Sequence, residues 1–456
     1  MGKELIFKAL AHEDMDTIPW VPFAGVHAGK LKGYTAEEIL KDADKLFESL
    51  MEVKKMYEPD GMPVIFDLQV EAEILGCDLL WAEYNPPSVK SHPLAGNKTI
   101  PCSCMIPTAN SGRIPMIVDV MKRMKASVGD DVALYGLICG PFTLASHLRG
   151  SEIFMDMIMD PKYVMDLVEF CTEICIKMTD YYIDAGMDVI AVVDPLVSQI
   201  SPKHFEQIVS DSFKALFSYI RNKNVFSAFF VCGNATNQIK VMCDTMPDCI
   251  AVDENVNMMK AKEITDHYNI TLSGNIPLTT TMLHGNQKDN MKYVIDLMDT
   301  LNHKNLIISP GCDMPYDVPI ENTIAAVQAA KRPESARAMI QNYEGTGFSD
   351  IEVEIPDYAK REKVLVEIFT LDPDQCAACT YMVNLVSDAF KEIEHIAEFK
   401  VYKYTIKEDI ARTAKMGLTN LPTMCVDGDI KWISIIPDKK EFVDTIKEYA
   451  EKKKQN

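Results

Sequence analysis

"DVIAVVDPLVSQISPKHFEQIVSDSFKALFSYIRNKNVFSAFFVCGN" (residues 188–234) is the stretch from which the fold can be read. It opens on an apolar run, 188–194, and closes on another, 225–232, and neither alternates apolar with polar residues. Between them, from Pro202 to Lys223, apolar side chains recur every third or fourth residue, the spacing of an amphipathic helix. A strand apolar at every position is covered on both faces, and a helix joining two such strands is the crossover that parallel pairing requires. The same alternation runs outward. Further strand candidates lie at 17–23, 62–67 and 132–138 before this unit, and at 249–254, 270–276 and 305–313 after it. Eight apolar strands separated by helices predict a closed (β/α)8 TIM barrel rather than an open sheet, with residues between the second and third strands as an insertion.

The pattern stops at "NYEGTGFSDIEVEIPDYAKRE" (342–362), an aperiodic stretch with Gly345, Gly347 and Pro356. Beyond it the order becomes βαβαββα, including an Asp-Gly turn at 427–428. The sequence therefore predicts a barrel over 1–341, a linker over 342–361 and a small α/β domain over 362–456, in keeping with a length above what one core usually supports.

A formal charge of −21 argues against nucleic acid and anionic membrane surfaces as partners. The first residues hold no apolar signal core, and no apolar run approaches the ~18 residues of a spanning helix. With thirteen cysteines, an odd count at irregular spacings, the expectation is a reducing cytoplasm and thiols that mostly pack, Cys171 and Cys175 among them, rather than a disulfide framework.

In a barrel, reactive groups sit at the C-terminal ends of strands. Those ends present Asp67, Asp194, Cys232, the pair Asp253-Glu254, Asn275 and then Cys312-Asp313. The fifth and eighth strands thus deliver two thiols to one mouth, with acids around them. Thiolates in such a setting select a soft metal, zinc above all; two unrelated thiols beside a cleft remain the alternative. Asp67, with Glu71 just after it, Asp194, Asn234 and Asn275 are the substrate-binding candidates, though acids after strands are often solvated and asparagines beside glycine often cap turns.

The segments "GMDVIAVVDPLVSQISPKHFEQIV", "FFVCGN", "LSGNIPLTTTMLHGN" and "SPGCDMPYDVPIENTIAAVQAA" resemble the uroporphyrinogen decarboxylase superfamily, and within it the corrinoid-dependent methyltransferase branch, over roughly residues 1–340. The resemblance implies a TIM barrel. It also implies a zinc ion held by a His-x-Cys and a distant Cys, which activates a small methyl acceptor, a thiol or tetrahydrofolate. The methyl group would come from a cobamide carried on a separate small corrinoid protein. Cys232 and Cys312 match the two cysteines, but Phe230 stands where the family has histidine. A third ligand would then come from Asp194, Asp253 or Glu254, or zinc would be weak or absent. In that case the barrel would be a binding or redox-delivery protein. The decarboxylase branch fits less well, since "WVPFAGVHAGKLKGY" (20–34) holds no arginine to clamp a polycarboxylate, only His27 and Lys30.

In the C-terminal domain, "DPDQCAACTYMV" places Cys376 at a helix start and Cys379 one turn later. The helix N-terminus favours a thiolate, which makes Cys376 the attacking thiol and Cys379 the resolving one of a redox pair. "TNLPTMCVDG" resembles the thioredoxin signature, which implies a cis-proline, Pro422, facing that pair. Cys425 reads as structural.

Overall fold

A computed structural model describes residues 2–345, 347, 351–371, 377–418 and 420–455, the side chains of 377, 378 and 455 aside. The chain divides into two compact units, Met1–Gly345 and Thr346–Asn456.

The first unit is built on a seven-stranded sheet whose spatial order follows the chain: β1 (Gly61–Pro63), β2 (Ala133–Cys139), β3 (Val189–Val193), β4 (Phe226–Val231), β5 (Cys249–Val252), β6 (Thr271–Ile276) and β7 (Leu306–Pro310). Every neighbouring pair is parallel. The expected first strand, 17–23, is reduced to a single parallel bridge between Trp20 and Ile308. Pro19 and Pro22 flank it and have no N–H for a ladder. The bridge nevertheless reaches both edges of the sheet. Ile308 N donates to Pro19 O at 2.9 Å, Val21 N to Ile308 O at 2.9 Å, and Asp60 N to Trp20 O at 3.0 Å. The result is a TIM-barrel-like array of seven strands with an extended segment between its first and last.

One buried cluster fills the interior. It takes alternate residues from successive strands: Ala133, Tyr135 and Leu137 from β2, Val189, Ala191 and Val193 from β3, Ala228 and Phe230 from β4, Cys249 and Ala251 from β5, and Ile307 from β7. The residues between them face the surrounding helices, which is why the strands read as unbroken apolar runs. Between β1 and β2 the insertion carries a short antiparallel ribbon, Leu79–Leu80 with Ser88–Val89, and the helix Ile114–Val128.

The second unit holds a four-stranded sheet in the order β9-β8-β10-β11, from β8 (Val364–Thr370), β9 (Ala397–Lys403), β10 (Thr423–Val426) and β11 (Asp429–Ile433). β8 and β9 are parallel; β10 runs antiparallel to β8, and β11 to β10. Helices Ala377–Ile393, Lys407–Lys415 and Lys439–Gln455 complete the βαβαββα order. The turn between β10 and β11 places Asp427 at φ 47° and Gly428 at φ 83°, the left-handed pair of a two-residue hairpin. The Leu421–Pro422 peptide is cis. Among the described residues no helix is long and apolar enough to cross a membrane.

The expectation of thiols without disulfides needs correction. Cys102 is bonded to Cys104 and Cys232 to Cys312. The first pair is joined because the short turn Ser103–Met105 folds the chain back, leaving the two Cα atoms 5.3 Å apart. The second joins two strand ends far apart in sequence. Cys77, Cys139, Cys171, Cys175, Cys243, Cys249 and Cys425 are free and buried, and burial pushes the thiols of Cys139, Cys171 and Cys175 well up from their ordinary range.

Candidate functional site at the barrel mouth

Cys232 directly follows β4 and Cys312 lies two residues beyond β7, both at the C-terminal end of the sheet. Their Cα atoms are 6.1 Å apart, and both are partly exposed and pack against the interior cluster. Gly311 permits this turn of chain, because a Cβ there would come within 2.7 Å of Glu254 N. Side chains along a strand point alternately to its two faces, so Phe230 shares the inward face of Cys232 one layer deeper. Its ring is 1% exposed, 4.9 Å from the ring of Phe23 and 5.9 Å from that of Phe66. The position the resemblance assigns to a ligating histidine is therefore a packed part of the barrel core.

The acids proposed to complete a ligand set are already engaged. Asp253 Oδ1 accepts from Asn255 N at 2.9 Å and from its Nδ2 at 2.5 Å, and the carboxylate also accepts from Gly233 N. Glu254 accepts from the N–H of Leu278 and from Thr279 Oγ1. Asp194 is sealed at the start of the helix Pro141–Arg149, accepting from Phe142 N at 2.9 Å, Thr143 N at 3.1 Å and Thr143 Oγ1 at 2.6 Å. It follows that the expected third ligand from Asp194, Asp253 or Glu254 is not in place. Among the described residues no group of three or more His, Cys, Asp or Glu side chains is arranged to hold a metal ion. Zinc sites draw on three or four protein ligands, so two sulfurs alone do not fit one.

The asparagines serve the walls. Asn275 is buried; its Nδ2 donates to Asp253 O and Val256 O, each at 2.9 Å, and its Oδ1 accepts from Tyr293 at 3.0 Å. Asn234 Oδ1 accepts from Thr236 N at 3.1 Å and Thr236 Oγ1 at 2.6 Å, closing a turn after Cys232.

Three other groups keep unspent hydrogen-bonding capacity near the strand ends. Asp67 is buried and accepts from Arg113 Nη1 at 2.6 Å. Arg113 also donates from Nε to Glu73 at 2.7 Å and lies over the Trp81 ring at 5.0 Å, yet its buried Nη2 has no partner. Glu71, on the turn of helix Val70–Ile74 after β1, accepts weakly from Cys139 N at 3.3 Å, and its buried Oε2 has no partner. Burial pushes its carboxyl up to about 8, against the pull of that N–H. Asp313 Oδ1 is likewise sealed without a partner, and burial raises that carboxyl well above the usual range. Burial also lifts Asp194 to about 7 and Glu254 to about 8. The C-terminal strand ends thus present two sulfurs, one arginine and several buried carboxyl groups whose pKa burial raises.

Arg113 was not foreseen: it starts an insertion helix 46 residues after Asp67, and nothing in its local sequence pairs the two. His27 is fully buried rather than cationic. Its Nε2 and Tyr57 Oη are 2.6 Å apart, its Nδ1 is 2.9 Å from Tyr316 O, and desolvation lowers its pKa to about 4. In the second unit Cys379 is buried and disulfide-bonded, and Cys376 lies outside the described residues.

Comparison with known proteins agrees with this architecture. The chain is 26% identical over 338 residues to the methylcobamide:CoM methyltransferase MtbA of Methanosarcina acetivorans, spanning 72% of this chain and 97% of that protein. It is 26% identical over 302 residues to the uroporphyrinogen decarboxylase of Wolbachia pipientis wMel, spanning 64% of this chain and 86% of that protein. The solved structure of a methyltransferase from Methanosarcina mazei superposes with a TM-score of 0.67 at 23% identity, covering 73% of this chain and 99% of that one, which supports the fold. The family model described as uroporphyrinogen decarboxylase matches residues 1–333, well over half of the sequence, and the chain belongs to that family of enzymes.

Proposed function

We propose that the barrel transfers a methyl group between a cobamide carried on a small corrinoid protein and a small acceptor, a thiol or tetrahydrofolate. The observation that carries this reading is the meeting of Cys232 and Cys312 at one mouth, in a chain similar to a methylcobamide:CoM methyltransferase over 97% of that protein's length. In the transfer, the acceptor's nucleophilic atom attacks the methyl carbon. The carbon–cobalt bond breaks with its electron pair left on the partner's cobalt, and an acceptor thiol gives up its proton. Glu71 is suited to exchange that proton, since its pKa of about 8 lies near neutrality and its Oε2 has no other partner. Arg113, held by Asp67 and Glu73, would orient the anionic end of an acceptor. Among the described residues Phe230 and the engaged acids leave no third donor, so no step is routed through zinc; Cys232 and Cys312 would line the acceptor's seat at the mouth.

The second unit we read as a thioredoxin-like redox module, with Cys376 and Cys379 as its exchanging pair and Pro422 as its cis-proline. Its element order and sheet order support this reading. Porphyrinogen decarboxylation is less well supported. Of the arginines in the barrel's N-terminal half, Arg123 is committed to Asp44 and Asp119 and Arg149 to Asp156, which leaves Arg113 with a donor to spare, too little for a polycarboxylate. A binding or redox-delivery role without methyl transfer is favoured by one observation, the packed Phe230 ring.

The test is methyl transfer from methylcobalamin to 2-mercaptoethanol or tetrahydrofolate, followed by the cobalamin absorbance. Transfer by the native chain and its loss in Cys232→Ala and Cys312→Ala are expected. Undiminished transfer in both variants would overturn the reading.

A further inference from the structure

The barrel mouth keeps both sulfurs that the family resemblance assigns to a metal but not the setting for a third donor. Below Cys232 the Phe230 ring is wedged between Phe23 and Phe66. Beside it Asp253 is closed on Asn255 and Gly233, Glu254 on Leu278 and Thr279, and Asp194 on Phe142 and Thr143. What is left is a dithiol on two strand ends of one rigid sheet. A Cα separation of 6.1 Å lies within the range that a disulfide spans without backbone movement. Both residues are partly exposed, whereas the seven free thiols among the described residues are buried.

We propose that Cys232 and Cys312 form a reversible dithiol–disulfide couple that exchanges with small-molecule disulfides, in the place where relatives would hold a metal. This activity does not depend on the methyl-transfer reading. One cysteine thiolate attacks a sulfur of the small disulfide, whose S–S bond breaks and releases one thiolate that takes up a proton. The second cysteine thiolate then attacks the Sγ of the first cysteine, forming the Cys232–Cys312 bond and expelling the other half as a thiolate that takes up a proton to become a second thiol. Two electrons pass from the protein dithiol to the small disulfide, and excess small thiol reverses both steps. Packing of both cysteines against the apolar interior restricts the approach to a slender partner, so a small molecule fits better than a folded protein's disulfide.

The full-length chain, reduced and desalted, is assayed for bound metal. It is then exposed to cystamine, quenched with acid, digested and mapped by mass spectrometry, which reports each cysteine pair separately. The expected results are zinc far below one equivalent, a Cys232–Cys312 crosslinked peptide lacking two hydrogens, and its disappearance in dithiothreitol. In Cys232→Ser, Cys312 should accumulate as a stable cysteamine adduct. Two results would overturn the proposal: about one zinc per chain that protects both thiols, or Cys232 and Cys312 left uncrosslinked while Cys376 and Cys379 react.

Discussion

Arg113 in the barrel and Arg412 in the C-terminal unit both lie against a buried carboxylate, yet they are satisfied to different degrees. Arg412 donates from Nε and Nη2 to Glu367 and from Nη1 to Glu354 O, and it lies 4.6 Å from the centre of the Tyr402 ring. Tyr358 donates to the remaining Glu367 oxygen at 2.6 Å. Arg113 binds Asp67, Glu73 and Leu40 O, but its Nη2 is buried without a partner, as is Glu71 Oε2 near the same strand ends. An orphaned buried polar atom costs on the order of 1–3 kcal/mol. The Arg412 network is closed on protein groups, whereas the Arg113 network keeps a buried donor to spare at a strand end.

The largest expected effect sits on the satisfied side. Glu367→Ala strands a buried guanidinium and should destabilise the C-terminal unit by about 3–5 kcal/mol in urea unfolding. A loss below about 1 kcal/mol would show the network to be peripheral and break the contrast. Arg113→Met should cost the barrel less, about 1–3 kcal/mol, since an orphaned donor is removed with the arginine. Its mark should be functional, a fall in methyl transfer on the order of 100-fold through misplaced acceptor. Unchanged activity would reduce Arg113 to scaffolding.

The next effect is in the pH dependence of stability. Glu71 and Glu254 have folded pKa values raised to about 8, above their unfolded values, so the folded chain binds more protons between roughly pH 4.3 and 8. Stability of the barrel is therefore greatest at the acid end of this window and falls as pH rises through it, at most on the order of 1 kcal/mol per pH unit for each group. Glu71→Gln keeps the shape without the charge and should flatten that decline. An unchanged slope would mean that Glu71 ionises normally. The smallest effect belongs to the exposed Arg337–Asp299 pair, where Arg337→Ala should cost about 0–1 kcal/mol in the same unfolding assay despite two hydrogen bonds of 2.6 Å.

Much of the fold was legible because periodicity is local. The apolar runs at 132–138, 188–194 and 225–232 overlap β2, β3 and β4 to within a residue or two, since strands covered on both faces must be apolar throughout. The segment 17–23 misled for a local reason as well: its composition is that of a strand, while its two prolines remove the N–H groups a ladder needs. The site was only half legible. Strand-end position brought Cys232 and Cys312 together on paper. It could not say that Asp194 would be consumed by a helix start, or Asn275 by the chain around Asp253 and Tyr293. Those partners come from segments tens of residues away, with no spacing rule to link them.

The sequence by itself determined the alternation of strand and helix, the division into two units and the presence of phenylalanine at position 230, because each depends on residue identity and near neighbours. Only the tertiary structure decided what Phe230 does, which acids are spent on hydrogen bonds and which are left open, and that Cys102 meets Cys104. Ligand capacity is what remains after every donor and acceptor has found its partner, and that remainder exists only once the strands have closed around their core.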